Sequence, residues 1–183
     1  GDDDGAAGTN EVAAFAAELE GVYELTELDL NLDGCKPVGA NVIGGSPANN
    51  VTAGVRGATI AGGGVPIGDT DPNFDSEAPN RVTDAYGTVG GGYANRAGDD
   101  VGTTIDGRFA TVGGGKGNTA SGVGSTVGGG ISNSTYLQAS TVGGGEGNTA
   151  ITTWSTVGGG RYNTASGQFA TVAGGGSNAA NGA

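Results

Sequence analysis

Ala110-Thr-Val-Gly-Gly-Gly-Lys-Gly-Asn-Thr-Ala-Ser-Gly122 returns as Ser155-Thr-Val-Gly-Gly-Gly-Arg-Tyr-Asn-Thr-Ala-Ser-Gly167, and this recurrence decides how the whole chain is read. The segment Thr-Val-Gly-Gly-Gly begins at Thr88, Thr111, Thr126, Thr141 and Thr156, and comes back as Thr-Val-Ala-Gly-Gly at Thr171. From Thr111 onward the spacing is 15 residues every time. Seven residues after each Thr stands an Asn: Asn95, Asn118, Asn133, Asn148, Asn163 and Asn178. Weaker copies lie upstream at Val42-Ile43-Gly44-Gly45 and Thr59-Ile60-Ala61-Gly62-Gly63-Gly64, and spacings of 17, 29 and 23 carry the pattern to Thr111. A fixed short period of this kind marks an architecture in which each unit buries its apolar face against its neighbours.

Fifteen residues make one coil if two short strands, around Ser-Thr-Val and Asn-Thr-Ala, alternate with two tight turns built on the Gly runs, where Gly supplies positive φ. Alternation along the first strand puts Val89, Val112, Val127, Val142, Val157 and Val172 inside, with the small residues Ala110, Ser125, Ser140, Ser155 and Ala170 on the same face. The opposite face then carries the Thr column together with Tyr86, Phe109, Trp154 and Phe169, large residues that call for a packing partner. A Val and one or two small residues per coil contribute ~2 to 3 kcal/mol of apolar transfer, against ordering costs near ~1.5 kcal/mol per residue. The expectation is an all-β, Gly-rich parallel β-solenoid with several chains packed side by side. Residues 38–108 form its irregular coils with loop insertions, and 109–183 its regular repeats. Each coil advances about 4.8 Å, and the open ends expose backbone that must be capped or joined. The last residues, Asn181-Gly182-Ala183, fall inside what reads as a further repeat, so a longer parent or a docking molecule is expected there.

Composition narrows the function. Of 183 residues 42 are Gly, with five Pro, one Cys, and no His or Met, so the usual catalytic and metal-binding side chains are scarce. Collagen is excluded by the lack of Gly at every third position. Residues 1–34 carry ten acids and no base, and 109–183 one acid and two bases, within a net charge of −12. That balance repels phosphate backbones and anionic lipid, disfavouring nucleic-acid and membrane partners. No apolar run approaches the roughly 20 residues of a membrane span. The opening Gly-Asp-Asp-Asp is neither a Met start nor a signal peptide, and reads as a processed or excised end. Cys35 alone cannot form an internal disulfide; a small buried thiol is its plain reading and an intermolecular bridge the alternative.

The quoted repeats resemble the head repeats of trimeric autotransporter adhesins, with related repeats in phage tail fibres and secreted bacterial proteins. The likeness covers about residues 38–183 and is strongest from Thr88 onward. It implies a left-handed parallel β-roll, three chains about a common axis, display outside the cell or on its surface, and attachment to host or other surfaces. These repeats depart from the family pattern in their triple Gly, and in having no coiled-coil stalk, membrane anchor or intramolecular chaperone.

The acidic front, residues 1–37, reads as a cap over the first coil or as an assembly arm, with helical propensity over 11–21 and strand-like alternation from Tyr23 to Leu32. Asp69, Asp71, Asn73 and Asp75 offer oxygens at the alternate spacing of a Ca²⁺ loop. Phe74, however, stands where an EF-hand has Gly, and Asn80 where its bidentate Glu belongs, so a solvated acidic loop is the plainer reading. Asp29-Leu-Asn-Leu-Asp33-Gly34 starts like such a loop and reads better as a strand. Asn50 and Asn133 begin glycosylation sequons, the second inside the Asn column.

The function expected is an extracellular structural or adhesive fibre subunit with itself as first partner, as a homotrimer, and a host or surface ligand as second. An alternative is a filament stacking end to end through the acidic segment. A minor alternative is ice binding by the Thr column, which the neighbouring aromatics argue against. No cofactor and no catalysis are expected: Glu146 is the only acid after Asp106, so a carboxylate pair would have to come from the insertions, for example from Asp99, Asp100 and Asp106, and neither nucleophile nor base accompanies them.

Overall fold

The computed structural model describes residues 39–66 and 78–182, and within them the chain is a parallel β-solenoid of stacked coils with no helix. Among the described residues every strand is two residues long, and the strands form two eight-stranded sheets. The first sheet runs from Val42–Ile43 through Thr59–Ile60 and the Thr-Val pairs to Thr171–Val172. The second runs from Asn50–Val51 through Arg81–Val82 and the Thr-Ala pairs to Ala179–Ala180. A third ladder of single bridges, Tyr93–Lys116–Ile131–Glu146–Arg161–Gly176, runs between them.

Register survives the insertions. Val42 pairs with Thr59, Thr59 with Thr88, Thr88 with Thr111 and Thr111 with Thr126, so the unequal spacings add loop and shift nothing. A one-residue slip would turn the Val column outward and the Thr column in, which is why register is firmly specified wherever one face is buried.

The interior is narrow. Val89, Val112, Val127, Val142 and Val157 have no exposed surface and Val172 is nearly buried, facing Ala97, Ala120, Ala150 and Ala165 of the second sheet. Thr135 takes an Ala place in that second column, fully buried, and its hydroxyl has no hydrogen-bond partner. A buried hydroxyl left unpaired costs roughly 1–3 kcal/mol. Thr135→Val keeps the shape and removes the orphan, and Val82 shows that the column admits Val. The variant is expected to be more stable by about 1 kcal/mol, a rise that thermal or urea unfolding would read.

The Asn column supplies the polar half of the core. Asn118, Asn133, Asn148 and Asn163 are fully buried just before the strands of the second sheet. The Asn133 Nδ2 donates to Asn118 Oδ1 at 3.2 Å, to Gly129 O at 2.9 Å and to Gly145 O at 2.8 Å. Its Oδ1 accepts from the Asn148 N–H at 2.9 Å and from Asn148 Nδ2 at 3.2 Å. One amide therefore ties its own Gly turn to the coil before and the coil after. Asn is the side chain for this because it offers both donors and an acceptor on one short stem. Asn49 and Asn80 make the same kind of contact upstream, so the ladder runs through the irregular coils as well.

The turns differ from the expectation. Gly114–Gly115 and Gly129–Gly130 do supply positive φ at one turn. The second turn is made by the residue two places before each Thr, and there Tyr86, Phe109, Ala139, Trp154 and Phe169 themselves take φ of 52 to 64°. The aromatics therefore stand at a corner and not on the strand face beside the Thr column. The two-residue strands explain the difference: alternation extends no further than the strand, and the chain has already turned at that position. The conformation ordinarily costs an L-residue about 1–2 kcal/mol. Here each corner N–H donates to the preceding coil, as Trp154 N does to Gln138 O at 3.0 Å and Phe109 N to Ala85 O at 3.1 Å.

Candidate interaction surface

The corner column reads Tyr86, Phe109, Gly124, Ala139, Trp154, Phe169 in successive coils. Tyr86 and Phe109 stack with ring centroids 5.2 Å apart and 14° between planes; Trp154 and Phe169 stack at 4.9 Å and 7°. The near-parallel rings sit at the coil spacing, so each pair is a slab projecting from the rod across two coils. Phe109 also lies under the Arg108 guanidinium, 5.8 Å from its centroid. Tyr86, Phe109, Trp154 and Phe169 remain 51, 50, 45 and 64% exposed, which is high for rings of this size. Stacking recovers part of their apolar energy within the chain and leaves their edges and outer faces to solvent. Between the slabs the corner is bare: a Cβ built on Gly124 would meet nothing within 4 Å.

A second corner precedes the Asn column, with Ala94, Ser132, Tyr162 and Ser177 in the left-handed region. Its surface mixes charges with the half-exposed Ile131 and Tyr162. Lys116 Nζ lies 4.9 Å from the Tyr93 ring centroid, and Arg161 pairs with Glu146 at 3.2 Å while its guanidinium covers Tyr162 at 4.7 Å.

Acids meet in one place among the described residues. Asp84, Asp99 and Asp106 bring carboxylate oxygens within 4.8 Å of one another. Asp84 is buried, and its two oxygens accept from the Gly107 and Asp99 N–H groups, each at 3.0 Å, and from Thr83 Oγ1 at 3.2 Å. The two amide donors lie at both ends of the insertion between Ala97 and Thr111, which Asp84 therefore fastens to the coil. Arg81 adds an ion pair to Asp100 at 3.0 Å. The arrangement works as a clamp, since the amide donors already occupy the oxygens of its most buried member.

Burial pushes the Asp84 carboxyl above the usual aspartate range, outweighing the lowering by the Gly107 and Asp99 amides, and the Asp99 charge adds to the rise. The folded chain thus holds this proton to higher pH than the unfolded chain does. The resulting stability is fully present below about pH 4 and is lost as pH rises through the raised value. The stability difference between wild type and Asp84→Asn is expected to be widest in acid and to narrow towards neutral pH. A difference that widened with pH, followed by thermal melts across a pH series, would show that the amide donors dominate.

Asp69, Asp71, Asn73 and Asp75 lie outside the described residues, as does the acidic segment 1–37. Asn50 is exposed at the start of the second sheet, whereas Asn133 is buried with its amide fully engaged, which leaves no room for a glycan on the folded coil. The Asp84 clamp escapes sequence reasoning because its donors are backbone groups of a loop 15 to 23 residues away. The bare Gly124–Ala139 step is visible once the corner column is aligned. No helix of the described residues is long and apolar enough to cross a membrane. No family model, curated protein or solved structure matches the chain.

Proposed function

We propose that this chain is a subunit of an extracellular structural or adhesive rod assembled from several copies. The observation that carries the reading is the row of half-exposed aromatic rings held at a rigid corner. A monomer in water has no use for such rings, and large exposed apolar rows mark surfaces that meet other molecules. The coil supports the same reading. Its strength lies in short-range bonds renewed at every step, so it lengthens by repetition and presents the same rows along its length.

Antibodies to the repeat should label intact, unpermeabilised cells, and loss of the protein should reduce attachment to surfaces or to other cells. Labelling that needs prior lysis, with attachment unchanged, would sink the proposal.

A further inference from the structure

The corner column is built in steps of two. From Tyr86 it reads large, large, small, small, large, large, and the two coils before it continue the alternation with Ala40 and Gly57, which hold the same register position. Read backwards, the order exchanges every large residue for a small one. Two identical columns laid antiparallel therefore match a large residue with a Gly or Ala position at all eight levels, although the space over Gly57 is already taken by the chain's own Tyr86 ring. We infer that a second copy of this chain docks antiparallel on this corner, with the Tyr86–Phe109 slab of each seated in the Gly124–Ala139 notch of the other.

Dimensions agree. Three coil steps of about 4.8 Å separate Phe109 from Trp154, about 14 Å in all. Two stacked rings inserted between them continue one aromatic column at the same spacing, alternating by pairs between the chains. The notch is open at Gly124, whereas Gly57 is already partly covered by the Tyr86 ring, 2.7 Å from where a Cβ would stand. The Gly124–Ala139 step is thus the one that receives a slab and sets the register.

Area is adequate too. At roughly 200 Å² per ring, four half-exposed rings offer about 400 Å² per chain. With both chains and the flanking corner residues counted, the pair passes the roughly 1,000 Å² that a specific interface needs. The charges beside the corner do not oppose the pairing, because Arg108 comes opposite Val123 of the other copy and Arg56 opposite Thr153. Chains set parallel and in register would instead meet ring against ring, and leave a void two coils tall at Gly124 and Ala139, of the kind that close packing disfavours. An antiparallel pair is also closed, with the same patch used on both copies.

The inference deepens the multichain rod proposed above by naming the partner and its direction. Sedimentation of the full chain should give about twice its 17.4 kDa. The double variant Gly124→Phe, Ala139→Trp fills the notch, and its backbone is compatible because Phe109 and Trp154 hold φ of 64 and 58° in the same column. It adds apolar surface, so mere stickiness would strengthen its association, whereas a blocked notch should weaken the dimer at least 100-fold with the circular dichroism unchanged. In a Cys35→Ser background, Arg108→Cys and Val123→Cys should form a mixed disulfide when the two variants are combined, and neither should cross-link to itself.

Unaltered or tighter association of the filled variant overturns the inference. Self-cross-linking of Arg108→Cys, or a trimeric mass, overturns the antiparallel pair and leaves the multichain rod standing. A monomer at every concentration removes both.

Discussion

Asn133→Ala is expected to cost about 4 kcal/mol or more, enough to unfold a chain whose core is this thin. The substitution strands the Gly129 carbonyl and the Asn148 N–H and takes from the Gly145 carbonyl one of its two bonds, the other coming from the Ile131 N–H, and each buried group left unpaired costs roughly 1–3 kcal/mol. It also opens a gap in a fully buried column. Asn133→Asp should be worse at neutral pH. A carboxylate there turns acceptor towards acceptor at both Gly carbonyls and buries an unpaired charge. The raised pKa of such a group makes stability fall as pH rises, so the Asp variant should recover part of its loss in acid while the Ala variant does not. Chemical unfolding of both variants at two pH values checks the order and its direction.

Gly130→Ala and Gly124→Ala make the second test, because both alter a Gly at positive φ and only one should matter greatly. At Gly130, φ is 92°, and a Cβ would meet the Gly145 carbonyl oxygen, the Gly145 N at 2.8 Å and Asn133 Nδ2 at 2.8 Å. Those atoms belong to the next coil's backbone and to the Asn ladder, neither of which can retreat without breaking the bonds that stack the coils. A loss of about 4 kcal/mol or failure to fold cooperatively is expected. At Gly124, φ is 64° and the Cβ space is empty. The cost there should stay near 1 kcal/mol, the ordinary penalty for the left-handed region. Equal effects at the two sites would mean that backbone conformation, and not contact between coils, is what requires Gly in the turns.

The coil, its 15-residue period, the inward Val column and the register across unequal loops are legible in the sequence alone. All of them rest on periodicity, and a parallel stack repeats in space whatever repeats in sequence. The Asn column was legible as a recurrence without its chemistry. Its role is decided by Gly carbonyls 4 residues before and 12 residues after, brought within reach only by the closing of a coil.

What the sequence by itself determined about this protein is therefore everything that a period of 15 can specify: strand faces, stacking order and the alternation of large and small residues at one position. Tertiary structure alone decided where that position points. The strands last only two residues, so Tyr86, Phe109, Trp154 and Phe169 leave the pleat and stand at a left-handed corner as stacked slabs. It alone also joined Asp84 to the amides of Asp99 and Gly107, since a loop's backbone donors carry no signature in the residues that supply them.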